Sequence, residues 1–187
     1  MTQLPKSTAR LSQVGRDDLP ADKRHIFDEI AGSRGAVRGP FAMLLHSPDA
    51  AQRIAHAGAY IRFETTLPDD LREVAILTTA RFWDCKYEWT AHQKIAETEA
   101  GVRPEAIAAI RDRKAPLGLT GDERTVFNYV SELLSTHRIS DTSFKAAHDR
   151  FGDKATVDLT ATAGYYSMIA SVLNACNVEP DVNTLPV

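Results

Sequence analysis

Apolar residues in this chain recur at helical spacing, and no alternating strand of useful length interrupts them. Leu71, Val74, Ala75, Thr78 and Phe82 form one stripe after Pro68. Ala51, Ile54, Ala55, Gly58 and Ile61 form another after Ser47–Pro48, where Ser47 reads as a cap and Pro48 as the first helical residue. Ile26, Phe27 and Ile30 mark a helix from Pro20 to Ala31, which "GSRGAVRGP" (32–40) should break. "FAMLLHSPDA" is an apolar turn of helix. Further helices are expected from Cys85 to Ala100, over 104–113, around Val126–Leu134, over 141–150 and over 154–176. These periods predict an all-α fold of about eight helices packed as a bundle. Residues 1–18 read as an N-terminal arm, and 19–187 as the helical domain, with a core motif at 68–113.

Composition narrows the function classes. The 187 residues can bury a core without disulfides or metal. Lys+Arg is 22 and Asp+Glu is 25, a net charge of −3, which argues against nucleic acid as a partner. Cys85 and Cys176 lie far apart and neither sits in a CxxC, which suits a reducing cytoplasm. The uncharged run "LTATAGYYSMIASVLNACNV" (159–178) is long enough to span a bilayer. Its Thr, Ser, Asn and Tyr content makes it a buried core helix instead, so no membrane partner is expected.

The stretch "RFWDCKYEWTAHQKIAETEAG" (81–101) concentrates the reactive side chains. Asp84 is a candidate N-cap, which would put Cys85 at the first helical position. Cys85, Glu88 and His92 then fall within about 60° on one helix face. Glu88 and His92 are an i,i+4 pair. Glu73 belongs to the preceding helix, and an antiparallel return would bring it opposite. Glutamates facing each other push their pKa values apart, leaving one acid and one base, and a histidine beside them can shuttle protons. The same pattern also serves a solvated ion pair with a buried structural cysteine.

"LREVAILTTARFWDCKYEWTAHQKIAETEAGV" resembles the core motif of the carboxymuconolactone decarboxylase family, within the alkylhydroperoxidase D-like superfamily. The likeness extends into "GPFAMLLHSPDAAQRIAHAGAYIRFETTLP" upstream and "AGYYSMIASVLNACNVEPD" downstream. It implies a helical fold, self-assembly as a homotrimer or hexamer, and a site between the two core helices. In the peroxidase branch the motif is a glutamate, then Cys-x-x-Cys, then a histidine. Glu73, Cys85 and His92 match, but Glu88 stands where the second cysteine would be, so the intramolecular disulfide of that branch cannot form.

The leading expectation is therefore a cofactor-independent lyase or isomerase acting on a small oxo- or carboxylated compound. Glu73 and Glu88 would be its acid–base pair, His92 the proton shuttle, and Cys85 a pocket wall or auxiliary donor. Arg38, His46, Tyr165 and Trp89 are candidate substrate-binding residues. The alternatives are a one-cysteine thiol peroxidase using Cys85 and a non-catalytic small-molecule-binding oligomer. In the peroxidase reading Cys176 could resolve Cys85 only if the last helix lay nearby, which the sequence does not suggest. No metal or other cofactor is expected, because the ligand spacing matches no standard zinc pattern.

Overall fold

The computed structural model describes residues 9–182, 184 and 185; residues 1–8 of the expected arm lie outside the described residues. Eight α-helices are described, with no strand among the described residues. They are α1 (Arg24–Arg34), α2 (Pro40–Leu44), α3 (Pro48–Phe63), α4 (Asp69–Phe82), α5 (Lys86–Thr98), α6 (Pro104–Arg111), α7 (Gly121–Thr136) and α8 (Asp141–Cys176). Short 3₁₀ turns at Arg16–Asp18 and Ala21–Lys23 lead into α1.

Local chemistry sets most of the boundaries. Prolines open α2, α3 and α6, where the missing N–H costs nothing. Thr120 and Glu123 form a reciprocal capping box that starts α7. The first helix runs three residues past the expected stop at Ala31, because the break falls at the left-handed Gly35 (φ 74°) and not at Gly32. The two terminal helices expected over 141–150 and 154–176 run into one another as α8, but the backbone leaves helical geometry at Gly152 (φ 80°, ψ 175°).

The helix α4 is the axis of the molecule. It packs against α5, α6, α7 and α8. The sequence stripe implies one buried face, yet nine of its 14 residues are buried, including Ile76 and Leu77 outside the stripe, while Phe82 at its end is exposed. A helix surrounded by four others has no solvent face to keep polar. The main core joins Val74, Leu77, Trp89, Ala96, Ile107, Ile110, Val126, Val130, Leu159 and Ala163. Each large aliphatic side chain there stabilises the fold by about 1.5–3 kcal/mol through burial. A second core of Ile26, Ile30, Phe41, Leu45, Ala51 and Ala55 joins α1, α2 and α3.

The described part of the arm is tied down. Arg10 donates its backbone N–H to Cys176 (2.7 Å), and Val14 donates to Ala42 (3.2 Å). None of the helices, among the described residues, is long and apolar enough to cross a membrane. The run at 159–178 instead supplies buried contacts from Leu159, Ala163, Tyr166, Ile169, Ala170 and Leu173.

Candidate active site

The reactive stretch begins in the turn between α4 and α5. Asp84 is not the cap of α5. Its backbone is left-handed (φ 46°). Its carboxylate is taken by Arg113, at 2.9 Å to both oxygens, and by Arg81. Cys85 itself occupies the N-cap position and has extended geometry. Its N–H donates to the Ala80 carbonyl (2.9 Å), and its own carbonyl accepts from Trp89 (3.0 Å). The Cys85 thiol is wholly buried, against Ile169, Ala170 and Leu173 of α8. Burial, with some help from the nearby Glu88 charge, pushes the thiol up to about 12. Backbone hydrogen bonds from Glu88 and Tyr87 pull the other way and do not prevail.

One turn further on, the polar side chains line up. Glu73 of α4 and Glu88 and His92 of α5 are all at most 5% exposed. His92 Nδ1 lies 2.8 Å from Glu73 Oε2, and His92 Nε2 lies 3.5 Å from Glu88 Oε2. With Glu73 as acceptor, Nδ1 carries the hydrogen and the Nε2 lone pair faces Glu88. Burial raises the Glu88 carboxyl above the usual carboxylate range; His92 and Arg62 oppose the rise, and Glu73 adds to it. Tyr166 of α8 stands edge-on to the imidazole, ring centres 4.9 Å apart. Burial keeps its phenol well above 10.

This row opens on a cavity of about 420 Å³ between α3, α5, α8 and the α1–α2 loop, a size suited to a small molecule. Glu88 and His92 line it, together with Tyr87, Tyr165, Tyr166, Phe41 and Ile169. Arg34, Arg38, Arg62 and Lys94 supply positive charge to the same walls. Glycine at position 39 is needed here: its φ is 57°, and a Cβ would run into the Tyr87 ring.

The candidates thus divide. Glu88, His92, Arg38 and Tyr165 meet at the cavity. Glu73 stands behind His92 and is not part of the cavity wall, so it can orient the imidazole but not touch a ligand. Cys85 is not a wall residue either, because its side chain turns into the apolar contact with α8. Trp89 lies in the main core, wholly buried, with Nε1 donating to Gln93 (2.8 Å). It follows Glu88 directly, so it sits about 100° away round the helix. His46 is exposed and contacts the Ser12 carbonyl through Nε2 (2.9 Å), away from the cavity. The last helix does reach Cys85, contrary to expectation, with Cys176 one turn beyond Leu173. Among the described residues no group of three or more His, Cys, Asp or Glu side chains is arranged to hold a metal.

Sequence reasoning missed Arg62, Lys94 and Glu99. For Glu99 a signal existed. Residues 88, 91, 92, 95 and 99 follow one helix face, and all of them line the cavity. Arg62 had none, since it lies on a different helix beside the buried Ile61.

The model of the carboxymuconolactone decarboxylase family matches residues 48–132, a span that contains Glu73, Cys85, Glu88 and His92. Over these residues the chain is similar to the carboxymuconolactone decarboxylase family. No curated protein is similar enough to match the chain. The fold around this family region recurs in solved structures. One is an uncharacterized peroxidase-related protein from Ralstonia eutropha JMP134, described as an alkylhydroperoxidase AhpD core. It has a TM-score of 0.77 and 19% identity, over 92% of each chain. A second peroxidase-related protein, from Silicibacter sp. TM1040, has a TM-score of 0.75 and 18% identity, over 97% of this chain and 96% of that one. The debrominase Bmp8, in its apo form, has a TM-score of 0.73 and 14% identity, over 91% of each chain. At these identities the likeness is one of fold. It places the carboxymuconolactone decarboxylase region within an alkylhydroperoxidase D-like helical architecture.

Proposed function

We propose that this chain is a cofactor-independent acid–base enzyme, of decarboxylase or isomerase type, acting on a small oxo- or carboxylated compound such as a lactone acid. The observation that carries the reading is one imidazole held between two buried carboxylates, the outer of which faces a cavity. Glu73 fixes the tautomer of His92 and stabilises the imidazolium when it forms. His92 Nε2 is the base. Glu88, whose affinity for a proton is raised by burial, is the acid.

For isomerisation, His92 Nε2 takes a proton from the carbon next to the substrate carbonyl. The C–H electron pair moves into an enolate, and the Glu88 proton is delivered to the new carbon or to oxygen. For decarboxylation, the bond to the substrate carboxylate breaks and carbon dioxide leaves. Its electron pair becomes the enolate, which Glu88 protonates on carbon, and solvent then restores the proton. Steps of this kind contribute about 10²–10⁴-fold each.

The test is turnover on a panel of small oxo acids and carboxylated lactones, followed by carbon dioxide release and product spectra. Glu88→Gln and His92→Ala should each abolish activity while leaving the helical circular-dichroism spectrum intact. Full activity in both variants would refute the assignment.

A thiol peroxidase centred on Cys85 is the second reading; its support is that Cys176, a candidate resolving thiol, lies one turn beyond Leu173 on the helix that covers Cys85, while that same cover counts against it. Sulfenic-acid labelling of Cys85 under peroxide would support it. Assembly with further copies of the chain belongs to the same proposal, and the exposed Phe63, Phe82 and Trp83 offer apolar surface for it. Sedimentation of a single monomeric species would remove that part.

A further inference from the structure

The cavity holds more positive charge than its own carboxylates can neutralise. Arg34, Arg38, Arg62 and Lys94 face it, against Glu88 and Glu99. Arg34 is already committed: it donates to the Ala55 carbonyl (3.0 Å) and to Ser33 (2.8 Å), and it stacks over Phe41 at 4.2 Å. Arg38, Arg62 and Lys94 are in no ion pair among the described residues, and Arg62 lies over the exposed Phe63 ring at 5.1 Å. Elsewhere Arg16, Arg72, Arg81, Arg103, Arg113 and Arg150 are ion-paired, while Arg10, Arg53 and Arg124 donate to backbone carbonyls. Uncommitted guanidinium groups on a concave wall are suited to a ligand carboxylate, which they can grip with two parallel hydrogen bonds.

Arg62 has a second relationship, to Glu88. It lies on α3 and lines the same cavity as Glu88 without an ion pair to it, and its positive charge opposes the rise that burial gives the Glu88 carboxyl. The other titratable groups around Glu88 are His92, Tyr87 and Cys85 from its own segment, Glu73 from α4, and Tyr165 and Tyr166 from α8. Arg62 and His92 are the cations of that set. When Arg62 pairs with a bound anion, its field at Glu88 is cancelled, and the bound negative charge lies in the same cavity.

We propose that Arg62 and Arg38 are the anion-binding residues of this cavity, and that seating a substrate carboxylate on Arg62 loads a proton onto Glu88. The substrate would then arm the acid that acts on it. An uncharged analogue would neither bind well nor switch Glu88 to its acid form. The idea rests on the acid–base reading of Glu88 and extends it to substrate class and regulation: the ligand is a small planar carboxylate, and its charge is part of the mechanism.

Benzoate is a suitable probe and benzamide its neutral counterpart. Calorimetric titrations in imidazole and in Tris at one pH measure affinity and, from the difference in apparent heat, the protons taken up. Wild-type protein should bind benzoate with net proton uptake, and bind benzamide at least about tenfold more weakly, the scale of one charge-assisted hydrogen bond. Arg62→Gln should lose about tenfold or more in benzoate affinity and lose the uptake. Arg62→Lys keeps the charge and should keep the uptake. Arg38→Gln should weaken binding but leave the uptake per bound benzoate unchanged. Glu88→Gln should bind benzoate with buffer-independent heat.

Equal affinity for benzoate and benzamide, no binding of benzoate at millimolar concentration, wild-type affinity in Arg62→Gln, or buffer-independent heat in the wild type would each overturn the proposal. These readouts need no turnover. A binding failure alongside inactive Glu88→Gln and His92→Ala variants sinks this inference alone, whereas full activity in both variants sinks the acid–base reading.

Discussion

Alkylation of Cys85 separates proton chemistry from sulfur chemistry without any knowledge of the substrate. The reactive species is the thiolate. Burial pushes this thiol up to about 12, so the thiolate population near neutral pH falls about a thousandfold against an unfolded chain. The thiol is also closed to reagent, at 0% exposure against α8. Reaction therefore has to wait for local opening, which slows it further. Cys176 is only half-buried and serves as an internal reference. Iodoacetamide at about pH 8, quenched over time and read by peptide mass spectrometry, gives both rates in one sample. Cys176 should be modified well before Cys85, and Cys85 should react at least about 10³-fold more slowly in native protein than in urea. A native Cys85 rate within about tenfold of the urea rate would refute the reasoning, because a thiol so readily ionised and reached is also available to peroxide.

Three further outcomes follow from the same structure. Glu88→Gln should stabilise the protein at neutral pH by about 1–3 kcal/mol, the cost of an incompletely compensated buried group. Because folding raises the Glu88 pKa, its favourable contribution is present in acid and lost as pH rises, so the variant's advantage in thermal melts should be larger at about pH 8 than at about pH 5. Gly39→Ala should cost about 1–3 kcal/mol in urea denaturation and displace Tyr87 from the cavity wall, since the new Cβ meets its ring at positive φ. Asp158 is buried on α8, which on its own would raise its pKa. Hydrogen bonds from Lys154 (2.9 Å), Thr66 (3.2 Å) and Tyr60 (3.0 Å) overcome this and hold the carboxyl below its usual range. Its stabilisation is therefore present above about pH 4 and lost in stronger acid. Asp158→Asn should be less stable by about 1–3 kcal/mol at neutral pH and should show a flatter acid limb in the melting curve.

The helical architecture was legible because its signals are local. Pro48 and Pro104 start helices by the geometry of a single residue, and the stripes of α3 and α4 need only a 3.6-residue period. The alignment of Glu88 with His92 was legible for the same reason. Other features depended on partners far away in the chain. Asp84 has the chemistry of a cap, but Arg113 competes for it from beyond α6, and the cap passes to Cys85. Trp89 and Glu88 are neighbours in sequence, yet one enters the core around α4 and the other the cavity. Only the placement of α4 decides which. Phe82 extends the α4 stripe by spacing alone and still ends on the surface, because the helix stops there and its ring meets the edge of Trp83, which is itself exposed. Arg62 becomes relevant only when α3 and α5 face each other across the cavity, 26 residues apart in the chain at Arg62 and Glu88.

Hydrogen exchange at carbon tests the central claim most directly. Small carboxylated oxo compounds incubated in D₂O, with proton NMR of the position next to the carbonyl, report any carbanion the protein makes. The account predicts enzyme-dependent loss of that proton signal in at least one such compound. The loss should persist in Cys85→Ala and disappear in His92→Ala and Glu88→Gln. Exchange that survives in both of the latter variants, or that vanishes only with the cysteine, would contradict it.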